Sequence, residues 1–173
     1  MSAPASGLHT TKDEPEVFKR LPTAVVPVKV LPPPSMLLLI WMRMCYYVDF
    51  EVIDLLNFRF EGAERVTLRV VEQTSTITCH AVELYVFDVS VEDAASGKVQ
   101  QCEQIQHLAK DESVCFHFTE PLAAGTRVTL QLKFHGFLND LLRGFYRTEY
   151  EAQGEKRVLA VTQFEACDAR RAF

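Results

Sequence analysis

Residues 58–72, "FRFEGAERVTLRVVE", decide the fold. Apolar side chains recur at Phe58, Phe60, Val66, Leu68 and Val70, with polar or charged residues between them. Successive side chains of an extended chain point to opposite faces, so this period of two predicts a half-buried strand. The same alternation, rich in β-branched and aromatic residues, runs through "HAVELYVFDVSVED" (80–93) and "TRVTLQLKFHG" (126–136). A further strand, "SVCFHFTEPL" (113–122), should be ended by Pro121, which cannot donate to a ladder. Turn signals at Gly62, "DAASGK" (93–98), "AAG" (123–125) and "AQGEK" (152–156) punctuate these runs at spacings typical of antiparallel sheets. No stretch carries a long helical period. The expected fold is all-β: an antiparallel, saddle-like β-sandwich.

Outward from that pattern, 173 residues suggest one domain with a real core, expected over residues 17–173. The net charge of −5 comes with Lys and Arg scattered among acids, so no basic stripe offers itself to nucleic acid. Residues 1–16, "MSAPASGLHTTKDEPE", lack the apolar core of a signal peptide and read as a disordered polar tail. Within the domain, residues 30–45, "VLPPPSMLLLIWMRMC", form an anomalous insert: three consecutive prolines, then an apolar run that does not alternate. That run is broken by Arg43 and falls short of the roughly 20 apolar residues a membrane span needs, so no membrane association is expected. The five cysteines, Cys45, Cys79, Cys102, Cys115 and Cys167, are odd in number and irregularly spaced, with no C-x-x-C pair. Neither a disulfide framework nor a zinc knuckle fits; reduced, mostly buried thiols in a cytoplasmic protein do.

Few residues suggest chemistry. Cys115 and His117 share a strand face, but two ligands fall short of the four of a structural zinc site. No phosphate-binding loop, nucleophile elbow or H-E-x-x-H helix is present. The polar residues concentrate at the end: Gln163, Glu165, Asp168, Arg170 and Arg171. On a strand running through "AVTQFEA" (160–166), Gln163 and Glu165 fall on one face. A carboxamide beside a carboxylate could receive an ammonium group, though a solvated strand face is the plainer reading. "CDARRAF" (167–173) resembles a short helical start, with Asp168 near its positive end.

Taken in order, several motifs resemble the N-terminal domain of the gluzincin zinc aminopeptidases, closest to their puromycin-sensitive branch. "RLPTAVVPVK" resembles the first strand, "NFRFEG" an F-x-G turn, and "CHAVEL" the L-H-A-x-x-L strand. "LKFHGFLNDLLRGFYR" and "VTQFEACDARRAF" resemble two longer blocks; the likeness covers roughly residues 18–173 apart from the insert. It implies a saddle-shaped β domain that packs on a catalytic domain of the same protein. It also implies that Glu165 helps bind the free α-amine of a peptide N-terminus, that Gln163 lines the pocket for the first side chain, and that Asp168, Arg170 and Arg171 hold the junction to the next domain. Zinc is the cofactor of the full-length family enzymes. H-E-x-x-H and G-x-M-E-N are absent from this sequence, so no catalytic residue, metal ligand or cofactor is expected in the chain itself. On this reading it is a fragment that does not hydrolyse peptides alone. The alternatives are a truncated, non-catalytic interaction module, and an unrelated β-sandwich that binds carbohydrate or lipid.

Overall fold

The computed structural model describes residues 46–173 and the short strand Val25–Pro27. The expected tail at 1–16 and the insert at 30–45 lie outside the described residues. The strands are β1 (Val25–Pro27), β2 (Tyr46–Asp54), β3 (Arg59–Val70), β4 (Thr74–His80), β5 (Leu84–Asp93) and β6 (Val99–Gln101). After these come β7 (Gln104–Leu108), β8 (Ser113–Leu122), β9 (Arg127–Phe137), β10 (Gly144–Ala152) and β11 (Glu155–Gln163). Every pairing among them is antiparallel.

The larger sheet runs β3, β9, β5, β6, with β1 and β2 sharing the outer edge of β3. The second sheet is β4, β8, β7, and β10 with β11 forms a two-stranded ribbon. Alternation puts Phe60, Val66, Leu68 and Val70 of β3, and Val128, Leu130, Leu132 and Phe134 of β9, on one buried face. Ile77, Val114, Phe116 and Phe118 of the smaller sheet join them in a single core cluster. Two apolar sheet faces closing on each other is the all-β sandwich the period of two predicts.

The turns at 93–98, 123–125 and 152–156 form as expected, with Gly97, Gly125 and Gly154 at positive φ. Asp93 braces the first, accepting from Ala95 N at 3.1 Å and Ser96 N at 2.7 Å. Three details differ from the sequence reading. Gly62 is not a break; it is buried inside β3. A Cβ there would lie 2.6 Å from the Asp49 carbonyl and 2.8 Å from the Phe134 ring, so the missing side chain is space another residue fills. The reversal lies earlier, at residues 54–58. There the Asp54 carboxylate accepts from the Leu56 and Asn57 amides, each at 3.0 Å, and Phe58 takes a φ of 54°.

The run at 80–93 is not one strand either. β4 ends at His80, and the chain turns through Glu83 (φ 59°) into β5. Within β5 the buried set switches from Leu84 and Val86 to Val89 and Val91. The switch falls at Asp88 (φ 51°), inside a register shift between Phe87 and Ser90. An extra residue on one strand exchanges the faces beyond it, which hides the alternation from a count of twos.

One residue sits uncomfortably in this core. Glu64 shares the inward parity of Phe60 and Val66 in β3 and is half-buried. Burial pushes its carboxyl up to about 7. Burial, then the Glu64 charge, push the neighbouring Cys79 thiol up to about 12. The folded carboxyl keeps its proton to higher pH than in the unfolded chain, so its contribution is full at low pH and lost as pH rises through about 7. Thermal unfolding between pH 5 and 8 should therefore show stability falling with pH, and Glu64→Gln should flatten the fall and raise Tm at pH 8 by a few degrees. Parallel pH profiles for the two proteins would contradict this.

Candidate functional site

The two residues singled out for ammonium binding lie where the ribbon meets the chain's last turn. β11 ends at Gln163, so Glu165 is not on the same strand face as expected. After Gln163 the chain bends: the Asp168 amide donates to the Phe164 carbonyl at 3.0 Å, and residues 168–171 form a 3-10 turn. The bend nevertheless keeps the pair together, the Glu165 amide donating to Gln163 Oε1 at 3.4 Å. Both side chains are exposed. The result is an exposed carboxylate two residues beyond an exposed carboxamide whose oxygen accepts from the Glu165 backbone amide; both groups carry acceptors of the kind an ammonium group needs.

This segment is fastened to the domain from several sides. Phe164 and Phe173 meet edge to face at 5.7 Å and pack on the core, and Ala172 is fully buried. Arg171 donates from Nη1 to Glu83 at 2.8 Å and from Nε to Asp168 at 3.1 Å. Arg170 donates from Nη1 to Glu112 at 3.0 Å and from Nε to the Cys167 carbonyl at 2.9 Å. Its own carbonyl accepts from Val82 N at 2.8 Å. Both arginine side chains are only 9% exposed. The partner carboxylates of Glu112 and Glu83 are 45% and 60% exposed, so it is the shielded guanidinium groups, each hydrogen-bonded through more than one nitrogen, that hold the geometry. Asp168 does open the final turn, but its carboxylate is held by Arg171 and no side chain caps the turn. Hydrogen bonds of these residues tie the last turn to Val82, Glu83 and Glu112.

Three supporting residues carry no chemical signal in the sequence. Gly144, the first residue of β10, has a φ of 69°, and a Cβ there would collide with Arg171 Cβ. Arg147 lays its guanidinium over the Phe58 ring at 4.3 Å and pairs with Asp140 at 3.2 Å. Asn139 accepts from Leu141 N at 2.8 Å and donates to the Arg143 carbonyl at 2.9 Å, shaping the loop that feeds β10. Elsewhere, Cys115 is buried while His117 Nε2 meets Gln106 at 3.2 Å. Among the described residues no three His, Cys, Asp or Glu side chains gather as a metal ion requires. Cys79, Cys102, Cys115 and Cys167 are unpaired, and Cys167 is exposed rather than buried.

Gly97 shares the φ of 69° but would meet nothing within 4 Å. Gly97→Ala should therefore cost only the left-handed strain, about 1 kcal/mol. Gly144→Ala should cost about 1–3 kcal/mol more, because it also displaces Arg171. Equal losses in denaturant titrations would show that Arg171 does not depend on the glycine.

The chain can now be set beside known proteins. The family model for the Peptidase M1 N-terminal domain matches residues 44–173. Aminopeptidase M1 of Arabidopsis thaliana is 41% identical over 122 residues, covering 69% of this chain and 14% of that protein. Aminopeptidase 2 of Candida albicans is 37% identical over 117 residues, 68% of this chain and 12% of that protein. Aminopeptidase N of Canis lupus familiaris is 32% identical over 121 residues, 67% and 12%. The chain thus spans about one-eighth of the length of the curated relatives it matches. The match embraces β2 to β11 and the Gln163–Glu165 bend, and on it the chain belongs to the Peptidase M1 N-terminal domain family.

Proposed function

We propose that this domain supplies the substrate-amine half of an aminopeptidase site, in a protein that removes N-terminal amino acids from peptides. The observation that carries the reading is the Gln163–Glu165 bend, where the Glu165 backbone amide donates to Gln163 Oε1 at 3.4 Å, on a segment fastened by two shielded arginines. An exopeptidase must tell a free α-amine from an internal amide. A carboxylate held in place does so by a charge-assisted hydrogen bond that only the ammonium can return. Glu165 is the amine acceptor, and Gln163 borders the first side chain of the peptide. In this reading the domain binds and orients substrate, and the zinc of the family reaction is held by other residues of the protein. By itself the chain should not hydrolyse peptides. The setting we assign is the cytoplasm, where the unpaired thiols of Cys79, Cys102, Cys115 and Cys167 would stay reduced.

The test is a chimera in which residues 46–173 replace the matching segment of the Arabidopsis Aminopeptidase M1. Glu165→Gln should weaken inhibition by peptides with a free α-amine about tenfold or more, the loss of one charge-assisted hydrogen bond. Inhibition by the N-acetylated forms of the same peptides should be unchanged. Equal effects on both peptide sets would remove Glu165 from amine binding, and leave the alternative of a non-catalytic interaction module.

A further inference from the structure

The outer face of the larger sheet carries arginines that the ladder, not the sequence, brings together. Along β3 the buried set is Val66, Leu68 and Val70, so Arg65, Thr67 and Arg69 point the other way. Along β9, Arg127, Thr129 and Gln131 do the same. The register sets Arg69 directly opposite Arg127, Thr67 opposite Thr129, and Arg65 opposite Gln131. Both members of the Arg69–Arg127 pair are exposed. Arg59, Arg147, Arg157, Arg170 and Arg171 each hold a carboxylate within 3.5 Å. Among the described residues, Arg65, Arg69 and Arg127 hold none, and the Thr67 and Thr129 hydroxyls make no hydrogen bond. Glu92, opposite Thr129 on β5, accepts from Gln131 Nε2 at 3.3 Å and not from an arginine. Like charges directly opposite on a sheet are destabilising, so the pair costs stability unless an anion lies between them.

We propose that Arg69 and Arg127, with the Thr67 and Thr129 hydroxyls, form a binding site for a phosphoryl group. Directly opposite side chains start about 5 Å apart, so two guanidinium groups can close on one ion from adjacent strands. Each guanidinium presents a fork of parallel N–H donors. A carboxylate, with two oxygens, is satisfied by one fork. Two forks and two hydroxyls call for a group with at least three oxygens and close to two negative charges, which a phosphate monoester has. Arg65, one rung beyond the threonines, adds to the field that draws the anion in. The patch is short. Glu92 flanks it on β5, and Asp49 stands diagonal to Arg65 across the β2–β3 ladder. An extended polyanion would meet those carboxylates, and a single phosphoryl group would not. Free phosphates and phosphorylated side chains share that chemistry. The site lies roughly 30 Å along β3 from Phe60, which packs on the ribbon root at Phe145. It stands apart from the Gln163–Glu165 bend and does not depend on the amine-binding reading.

A phosphate titration of the 173-residue chain, followed by backbone amide chemical shifts at constant ionic strength, tests this. Replacing chloride with inorganic phosphate should give saturable shifts at residues 67–70 and 126–130, and none at 163–168. Arg69→Gln or Arg127→Gln should weaken binding about tenfold or more, the loss of one charge-assisted contact. Arg69→Lys keeps the charge but loses the fork, so its affinity should fall between the two. Arg157→Gln, on the ribbon, and Glu165→Gln should leave the phosphate response unchanged. In phosphate-free buffer Arg69→Gln should raise Tm, because the like charges no longer face each other. A phosphoserine peptide should bind at least as well as inorganic phosphate. Tighter binding of the peptide would assign the group to a modified protein, and equal binding would assign it to a small phosphate. Shifts that grow without saturating, or that survive Arg69→Gln and Arg127→Gln together, would overturn the proposal. So would a fall in Tm on Arg69→Gln in phosphate-free buffer, which would make the pair part of the fold's packing.

Discussion

Two reciprocal contacts across the β3–β9 ladder anchor the whole domain. Phe60 pairs with Gly136, and Gly62 pairs with Phe134, so each glycine lies opposite a phenylalanine. The Phe60 ring occupies the space a Gly136 side chain would need, and the Phe134 ring does the same at Gly62. Both rings are fully buried and meet edge to face at 6.3 Å. A larger residue at either glycine would lift a ring out of the core, and the sheets close around those rings. The arrangement turns glycine, normally a weakness in a strand interior, into a fitted socket.

The same aromatic group reaches toward the site. Phe145, one residue into β10, lies 5.0 Å from Phe60 and 4.7 Å from Phe50. The root of the ribbon is therefore set by the core, not by its own two strands. Gly144 precedes it and makes room for Arg171, and Arg171 with Arg170 ties the last turn to Glu83 and Glu112. Core packing, ribbon root and ion pairs thus converge on the short segment from Gln163 to Asp168. The chemistry the domain can offer is modest, two polar side chains. What the fold adds is their placement, which is what recognition of a small charged group demands.

How much of this was legible depended on whether the signal was local. β3 and β9 follow from alternation, because one face of each is buried and the other is not; β8, buried on both faces over Ser113–Phe116, follows instead from its run of apolar and aromatic residues. The turns at Gly97, Gly125 and Gly154 follow from their residues. Gly62 misled because composition cannot tell a glycine that bends the chain from one that admits a ring from the next strand. The bulge at Asp88 was hidden because apolar residues continue on both sides of it, and only the parity changes. The candidate residues, Gln163 and Glu165, were picked out by the resemblance of ordered motifs to a family, but the geometry of the segment that carries them was not legible. Arg170 and Arg171 find acids 58 and 88 positions away, and no spacing rule reaches that far. The bend after Gln163 likewise depends on Phe164 and Phe173 being drawn into the core.

The central claim is that Gln163 and Glu165 form a fixed platform and are not a loose end. Backbone 15N relaxation of the chain measures this directly. If the arginine and phenylalanine contacts hold as described, residues 163–168 should show order parameters near those of β9, about 0.85. Values below about 0.6 across that segment, with β9 still rigid, would contradict the account.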